Sequence, residues 1–200
     1  MTQEEIKAVI TELLKLVKRE GMDNLIKYLE TSDFYTAPAS TKFHNNFVGG
    51  LAGHSLNVYY LLSNKVKQHN ISVPEQSIIL SALLHDLCKI DTYKTELKWK
   101  KDDNNKWYQE EVWVVKDSFP IGHGEKSVIM AQRFIQLTDE EITAIRWHLA
   151  MSDPGTHFAY PTGHSFKEAF GSCPLLVCLS TSDVEASFLV ESRPAEKIST

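Results

Sequence analysis

Cysteine is scarce in this chain, and the three cysteines form no recognisable pattern. Cys88, Cys173 and Cys178 include no Cys-x-x-Cys pair, and three thiols cannot all pair with one another. A disulfide framework of the kind that stabilises small secreted domains is therefore not indicated. The pattern favours a reducing compartment, and we expect the protein to be cytoplasmic.

Long apolar runs are also missing. No stretch approaches the roughly 20 apolar residues that a membrane-spanning helix needs. The N-terminal segment Met1–Ile6 lacks the basic and apolar regions of a signal peptide. We therefore expect neither secretory targeting nor a membrane partner.

The chain has no surplus of positive charge. Its formal net charge is −5, whereas binding to a nucleic-acid backbone usually requires a basic surface. A long nucleic acid is thus disfavoured as a partner. A small phosphorylated substrate stays compatible with this charge, because a metal site can supply local positive charge.

The length and composition are those of one globular domain. The 200 residues suffice for a single substantial core, and we assign residues 1–200 to one domain. Hydrophobic residues make up 42% and charged residues 24%, which is ordinary for a folded protein. No internal repeat or low-complexity tract interrupts the chain.

Helical spacing of apolar residues dominates the sequence. Thr2–Glu5 reads as a capping box, and the helix that follows is predicted to end near Gly21. Thr138–Glu141 is a second capping box. Pro74 and Pro174 are predicted to open two further helices. These patterns predict an all-α protein.

One segment departs from the helical period. Between Thr92 and Ser118, Leu97 and Trp99 alternate with lysines, and Val112–Val115 favours a strand. Asp102–Asn105 has the composition of a turn. We predict a small β-hairpin, inserted at about residues 92–118 in the helical domain.

Two adjacent metal-ligand residues end an apolar run. His85 and Asp86 follow Ile78–Leu84 directly, and a core helix gains no stability from ending in two such residues. A metal site is therefore predicted here. The other candidate ligands, in chain order around this pair, are His54, His123, His148 and Asp183.

Imidazole and carboxylate ligands together suit borderline transition metals, namely iron, manganese, nickel, cobalt or zinc. Cysteine is absent from the set, which disfavours a thiolate structural zinc site. Six ligands can hold two divalent ions. We assign Asp86 as the bridge between them, because a carboxylate bridges two ions readily and histidine does so poorly.

Two lysines are candidates for contact with a bound phosphate. Lys89 follows Asp86 by three residues and shares its helix face, although a cation at a helix end is the alternative interpretation. Gly122–Gly124, at the predicted start of a helix, would aim backbone N–H groups at an anion. Lys126 is predicted to assist there.

This ordered set of residues resembles the HD superfamily of metal-dependent phosphohydrolases, in its six-ligand, two-metal branch. The His-Asp-x-x-Lys pattern of that family is matched by His85-Asp86-Leu87-Cys88-Lys89. The resemblance implies a helical HD core over residues 43–191, preceded by N-terminal helices and a loop over 1–42. It also implies that one ion takes His54, His85, Asp86 and Asp183, and that the other takes Asp86, His123 and His148.

The resemblance further suggests that His44 contacts the substrate, because Ser40–His44 is similar to the segment leading into the site in related proteins. We interpret the remaining histidines, His69, His157 and His164, as solvated or hydrogen-bonded side chains.

The function predicted from this resemblance is hydrolysis of a phosphoester by a hydroxide that bridges two metal ions. Asp86 and Lys89 would carry the catalysis, and the substrate would be a nucleotide or a short oligonucleotide. Two alternatives stay open. Some proteins with the HD fold hold a di-iron pair and act as oxygenases. The other alternative is a non-catalytic nucleotide-binding module, in which the ions are structural or the site senses a nucleotide. The sequence leaves the oligomeric state undecided.

Overall fold

Apolar residues at helical spacing lie on helices that enclose two neighbouring clusters of buried side chains, with Tyr59 packed against both. The computed structural model describes residues 1–42, 45–152 and 162–191. The helices of the described residues are α1 (Gln3–Leu16), α2 (Met22–Thr31), α3 (Gly50–Gln68), α4 (Glu75–Leu84), α5 (His123–Gln132), α6 (Asp139–Trp147), α7 (Thr162–Ser172) and α8 (Pro174–Glu185). The predicted all-α class is confirmed.

Both predicted capping boxes are present. At the start of α1, the Glu5 N–H donates to Thr2 Oγ1 at 3.2 Å, and the Thr2 N–H donates to Glu5 Oε2 at 2.7 Å. Thr138 and Glu141 make the same reciprocal pair at the start of α6. Each box satisfies backbone donors that have no partner within the helix.

Helix α1 ends earlier than the sequence pattern predicts. It stops at Leu16, because Val17 takes an extended backbone and buries its side chain in the core. Gly21 then turns the chain into α2 with a φ of +87°. A Cβ at Gly21 would lie 1.8 Å from the Phe134 carbonyl oxygen, so no other residue fits there.

The inserted hairpin is confirmed. Strand β1 (Tyr93–Lys101) pairs antiparallel with β2 (Trp107–Val115), in a register that runs from Tyr93 opposite Val115 to Lys101 opposite Trp107. The turn is held by Asp102, whose Oδ1 accepts the N–H groups of Asn104 at 2.9 Å and Lys106 at 2.8 Å.

Helix α4 lies at the centre of the domain. Every residue from Ser77 to Leu84 is buried, as expected for a helix that is apolar on all sides. It packs against α3, α6 and α8, and α5 packs against α6. The ends of these helices therefore meet in one region, immediately after α4.

No single helix among the described residues is long and apolar enough to cross a membrane. One bent pair, His164–Ser172 with Pro174–Val190, meets the length and composition criteria only when its two parts are taken together across a 100° bend.

Candidate metal centre

The structure brings the six predicted ligands together from different parts of the chain. His54 lies near the start of α3, His85 and Asp86 follow α4, and His123 is the first residue of α5. His148 follows α6 directly, and Asp183 lies near the end of α8. Helix ends thus supply most of the ligands.

Asp86 is the centre of this cluster. Its Oδ1 lies 2.7 Å from His123 Nε2 and 3.7 Å from His148 Nε2. Its Oδ2 lies 3.4 Å from His85 Nε2 and 3.6 Å from His54 Nε2. The two oxygens therefore face two different pairs of histidines, which is the arrangement that a bridging carboxylate needs.

Asp183 joins the cluster on the side of Asp86 Oδ2. Its Oδ1 lies 3.1 Å from His54 Nε2. Among the described residues, three groups have ligand atoms within 4.8 Å of one another: His54, His85 and Asp183; His85, Asp86 and His148; and Asp86, Cys88 and His123. Each group is close enough to hold an ion, and the shared members His85 and Asp86 join the three groups into one cluster.

The histidine rings are oriented so that Nε2 faces inward. The outer Nδ1 of His85 lies 2.8 Å from the Ala82 carbonyl oxygen, and that of His148 lies 2.7 Å from the Ile145 carbonyl oxygen. A carbonyl only accepts, so each Nδ1 carries a proton and Nε2 is the nitrogen that would offer its lone pair to an ion.

His148 tests whether these residues fit a metal. Its Nε2 is buried and has no hydrogen-bond partner among the described residues. A buried nitrogen without a partner is energetically unfavourable, because it has given up its contacts with water. An ion on the inner side of the ring would satisfy it, so the residues present fit the predicted metal.

The electrostatics of the cluster suit a cation. Burial raises the pKa of Asp86, but nearby Lys89 and His85 outweigh this and hold it well below its usual range. Burial likewise opposes ionisation of Asp183, yet His54 and His85 lower its pKa. Both carboxylates are therefore ionised at neutral pH.

His54 carries part of the compensating charge when no ion is bound. Burial lowers its pKa, but hydrogen bonds to Asp183 and Glu191 outweigh burial and raise it to about 9. A ligating imidazole must be neutral, so an ion entering at His54 would displace this proton.

Gly124 allows the two histidines on the Oδ1 side of Asp86 to approach each other. A Cβ at Gly124 would lie 2.1 Å from the carbonyl oxygen of Arg146 in α6. Only glycine lets the start of α5 come this close to the end of α6. The ring centroids of His123 and His148 consequently lie 5.1 Å apart.

The predicted substrate-binding lysines lie in different surroundings. Lys89 ends a short 3₁₀ turn after α4, rather than lying on an α-helix with Asp86, and its Nζ lies 2.5 Å from Asp86 Oδ2. Lys126 is buried, and its Nζ donates to Asp117 Oδ1 at 2.6 Å and to Thr92 Oγ1 at 3.0 Å. Lys89 is thus at the cluster, and Lys126 has a structural pairing; contact of either lysine with substrate stays a prediction.

The other predicted histidines lie elsewhere. His44 and His157 are outside the described residues. His69 ends α3 in an exposed position, and His164 is exposed beside Glu168. These last two positions agree with a solvated interpretation.

Two residues at the cluster were not identified from the sequence. Cys88 Sγ lies 3.4 Å from His123 Nδ1. Burial and the neighbouring Asp86 raise the pKa of this thiol to about 12, so it is protonated at neutral pH unless a metal binds it. The carboxylate of Glu191 lies 3.1 Å from His54 Nδ1. Cys88 could have been found inside the His-Asp-x-x-Lys pattern, whereas Glu191 has no local signal.

Comparison with known protein families gives one match. A family model described as the HD domain matches residues 51–179, which is more than half of the chain. Five of the six predicted ligands lie inside the matched segment, and Asp183 lies just beyond its end. Comparison with curated proteins and with solved structures gave no match.

Proposed function

Since this chain belongs to the HD-domain family, whose superfamily is of the metal-dependent phosphohydrolase type, we propose that it hydrolyses a phosphoester at a centre of two divalent transition-metal ions. We propose a nucleotide or a short oligonucleotide as the substrate and the cytoplasm as its location.

The observation that supports this function best is the placement of Asp86. One buried carboxylate presents its two oxygens to two separate pairs of inward-facing imidazoles. A site for a single ion would need only one of these two pairs of imidazoles. His54, His85, Asp86 and Asp183 would hold one ion, and Asp86, His123 and His148 would hold the other.

Two such ions would supply a water of lowered pKa and a clamp for phosphoryl oxygens. The protein's own residues would position them. Asp86 lies between the two pairs of histidines, and the outer Nδ1 contacts orient the rings of His85 and His148. Lys89, whose side chain is only 12% exposed, places an ammonium group beside Asp86, where it would stabilise negative charge on a bound phosphate.

The experiment begins with metal-depleted protein that is reloaded with one metal at a time. Release of phosphate or nitrophenol is then measured with nucleotides and with mono- and di-ester aryl phosphates. We expect uptake of about two ions per chain, because the six ligands include one carboxylate placed to bridge two ions, together with metal-dependent hydrolysis.

The variants Asp86→Ala and His69→Ala separate the centre from the remainder of the protein. Asp86→Ala should reduce hydrolysis to background, because both halves of the centre lose a ligand. His69→Ala, at an exposed helix end, should keep parent activity. Hydrolysis by Asp86→Ala within a few-fold of the parent would refute the bridging role. Oxygen consumption by the iron-loaded protein, without phosphate release, would favour the oxygenase alternative.

A further inference from the structure

The four histidines of the centre are not held in the same way. His85 and His148 each contact the backbone carbonyl three residues earlier, so their orientation is set within their own helical segment. His54 instead contacts Glu191, which lies 137 residues further along the chain. Its orientation therefore depends on a side chain that tertiary structure must deliver.

We infer that Glu191 is the positioning residue for His54, and that it thereby sets the affinity of the ion that His54 binds. This inference rests on the proposed metal centre and adds a residue outside the predicted ligand set. Glu191 would not touch the ion or the substrate, since the Nδ1 side of the His54 ring separates it from them.

The contact between Glu191 and His54 joins helix α3 to the segment that follows α8. Both carboxylate oxygens of Glu191 lie 3.1 Å from His54 Nδ1. Asn57, one turn after His54 on α3, donates its amide N–H to Glu191 Oε1 at 2.9 Å. Glu191 thus joins two side chains on one face of the helix.

The Glu191 carboxylate is buried, and this makes its hydrogen bonds important for stability. The Glu191 side chain is only 2% exposed. An ionised carboxylate at such a position is strongly unfavourable unless donors surround it. His54 and Asn57 are two such donors, so the buried charge and the orientation of His54 depend on each other.

The chain path explains how Glu191 reaches this position. Helix α8 carries Asp183 and continues into a π-helical turn, Ala186–Val190, which ends at Glu191. Asp183 Oδ1 lies 3.1 Å from Nε2 of His54, while Glu191 lies 3.1 Å from its Nδ1. One continuous segment therefore holds the ring from both sides, with Asp183 on the inner side and Glu191 on the outer side.

The chemical consequence is the choice of nitrogen that binds the ion. An ionised carboxylate only accepts hydrogen bonds, so the proton of the neutral imidazole must stay on Nδ1. The lone pair on Nε2 then points at Asp183, Asp86 and the ion between them. Without Glu191, the ring could rotate or take the other tautomer, and its lone pair would turn away from the centre.

The experiment compares the parent with Glu191→Ala and Glu191→Gln, using zinc and a competing chelating indicator. Loss of such an outer contact typically weakens metal binding by about 10- to 100-fold, and we expect this for Glu191→Ala. Glu191→Gln keeps an oxygen that can accept a hydrogen bond from the His54 Nδ1–H. The zinc affinity of this variant should therefore lie between those of Glu191→Ala and the parent.

Glu185→Gln is the matched control. It removes the same charge from the same helical segment, but Glu185 pairs with Lys65 and makes no contact with His54. Its zinc affinity should equal that of the parent. An equal loss in Glu185→Gln and Glu191→Gln would show a general charge effect and overturn the inference.

A second readout is independent of activity and of affinity. In the zinc-loaded parent, proton NMR should show a downfield Nδ1–H resonance for His54, protected by the carboxylate. It should disappear in Glu191→Ala and persist, shifted, in Glu191→Gln. Parent-like zinc affinity and an unchanged resonance in Glu191→Ala would overturn the positioning role. Failure of the parent to take up any metal would instead refute the proposed centre, and this inference with it.

Discussion

Replacing Arg19 by methionine should strongly destabilise the fold. Arg19 Nη1 and Nη2 donate to the two oxygens of Glu141, both at 2.6 Å, and Arg19 Nη1 also donates to the Gln136 carbonyl at 3.0 Å. The Glu141 side chain is fully buried. Removing one partner of a buried pair costs about 3–5 kcal/mol, because the other charge is left without compensation. At roughly 2–4 °C per kcal/mol for a chain of this size, the melting temperature should fall by about 6–20 °C.

The destabilisation should depend on pH in a defined direction. Burial raises the pKa of Glu141, but hydrogen bonds from Arg19 and Ser77 outweigh it and lower the pKa below its usual value. The unfolded parent thus binds more protons in this range, and the stability from Glu141 is lost as pH falls through the folded pKa. Without Arg19, burial dominates and the folded pKa rises above the unfolded one. The difference between parent and variant should therefore shrink as pH falls from 7 to about 4.

Urea unfolding of both proteins across this pH range, followed by circular dichroism, measures the effect. Lys15→Met is the matched control, because it removes one positive charge from the same region. The Lys15 side chain pairs with Glu12, and both side chains are largely exposed. An exposed pair of this kind contributes about 1 kcal/mol or less. A loss of stability in Arg19→Met no larger than that in Lys15→Met, or one that does not vary with pH, would refute the reasoning.

Two further variants address the centre itself. Lys89→Ala should keep its metal but lower kcat/KM for phosphoesters by roughly 10- to 150-fold, since a charge-assisted contact contributes about 1.5–3 kcal/mol. If metal-loaded Lys89→Ala has the same kcat/KM as the parent, Lys89 has only a structural role as the partner of Asp86. Gly124→Ala should lower stability by about 1–3 kcal/mol and weaken binding of the second ion, because its Cβ would lie 2.1 Å from the Arg146 carbonyl oxygen. Gly171→Ala, where nothing lies within 4 Å of the added Cβ, is its control and should be neutral or slightly stabilising. Equal stability of the two glycine variants would contradict the close approach of α5 and α6.

Local signals in the sequence were sufficient for much of the fold. The two capping boxes and the switch from helical to alternating spacing after Thr92 depend on residues only a few positions apart. The end of α1 was predicted less well. Val17 fits the apolar period of the helix, but burial of its side chain in the tertiary core stops the helix at Leu16. Tertiary packing, rather than local preference, sets that boundary.

The spatial grouping of the six predicted ligands could be foreseen from the sequence, because histidines and aspartates next to apolar helical segments have few structural explanations; their role as metal ligands stays a prediction. The surroundings of Lys126 were harder to foresee. Its buried pairing with Asp117 and Thr92 depends on how the end of the hairpin packs against α5, and no spacing along the chain encodes that contact.

Glu191 shows why the groups that orient a ligand are harder to predict than the ligand itself. The carbonyls that orient His85 and His148 belong to Ala82 and Ile145, in the last turns of α4 and α6, where a backbone carbonyl has no N–H partner within the helix. Leu51, three residues before His54, lies in the first turn of α3, where the carbonyl accepts an N–H from the following turn. The His54 ring contacts the distant Glu191 carboxylate instead. For the same reason, a ligand near the start of a helix is where a search for a distant orienting side chain should begin.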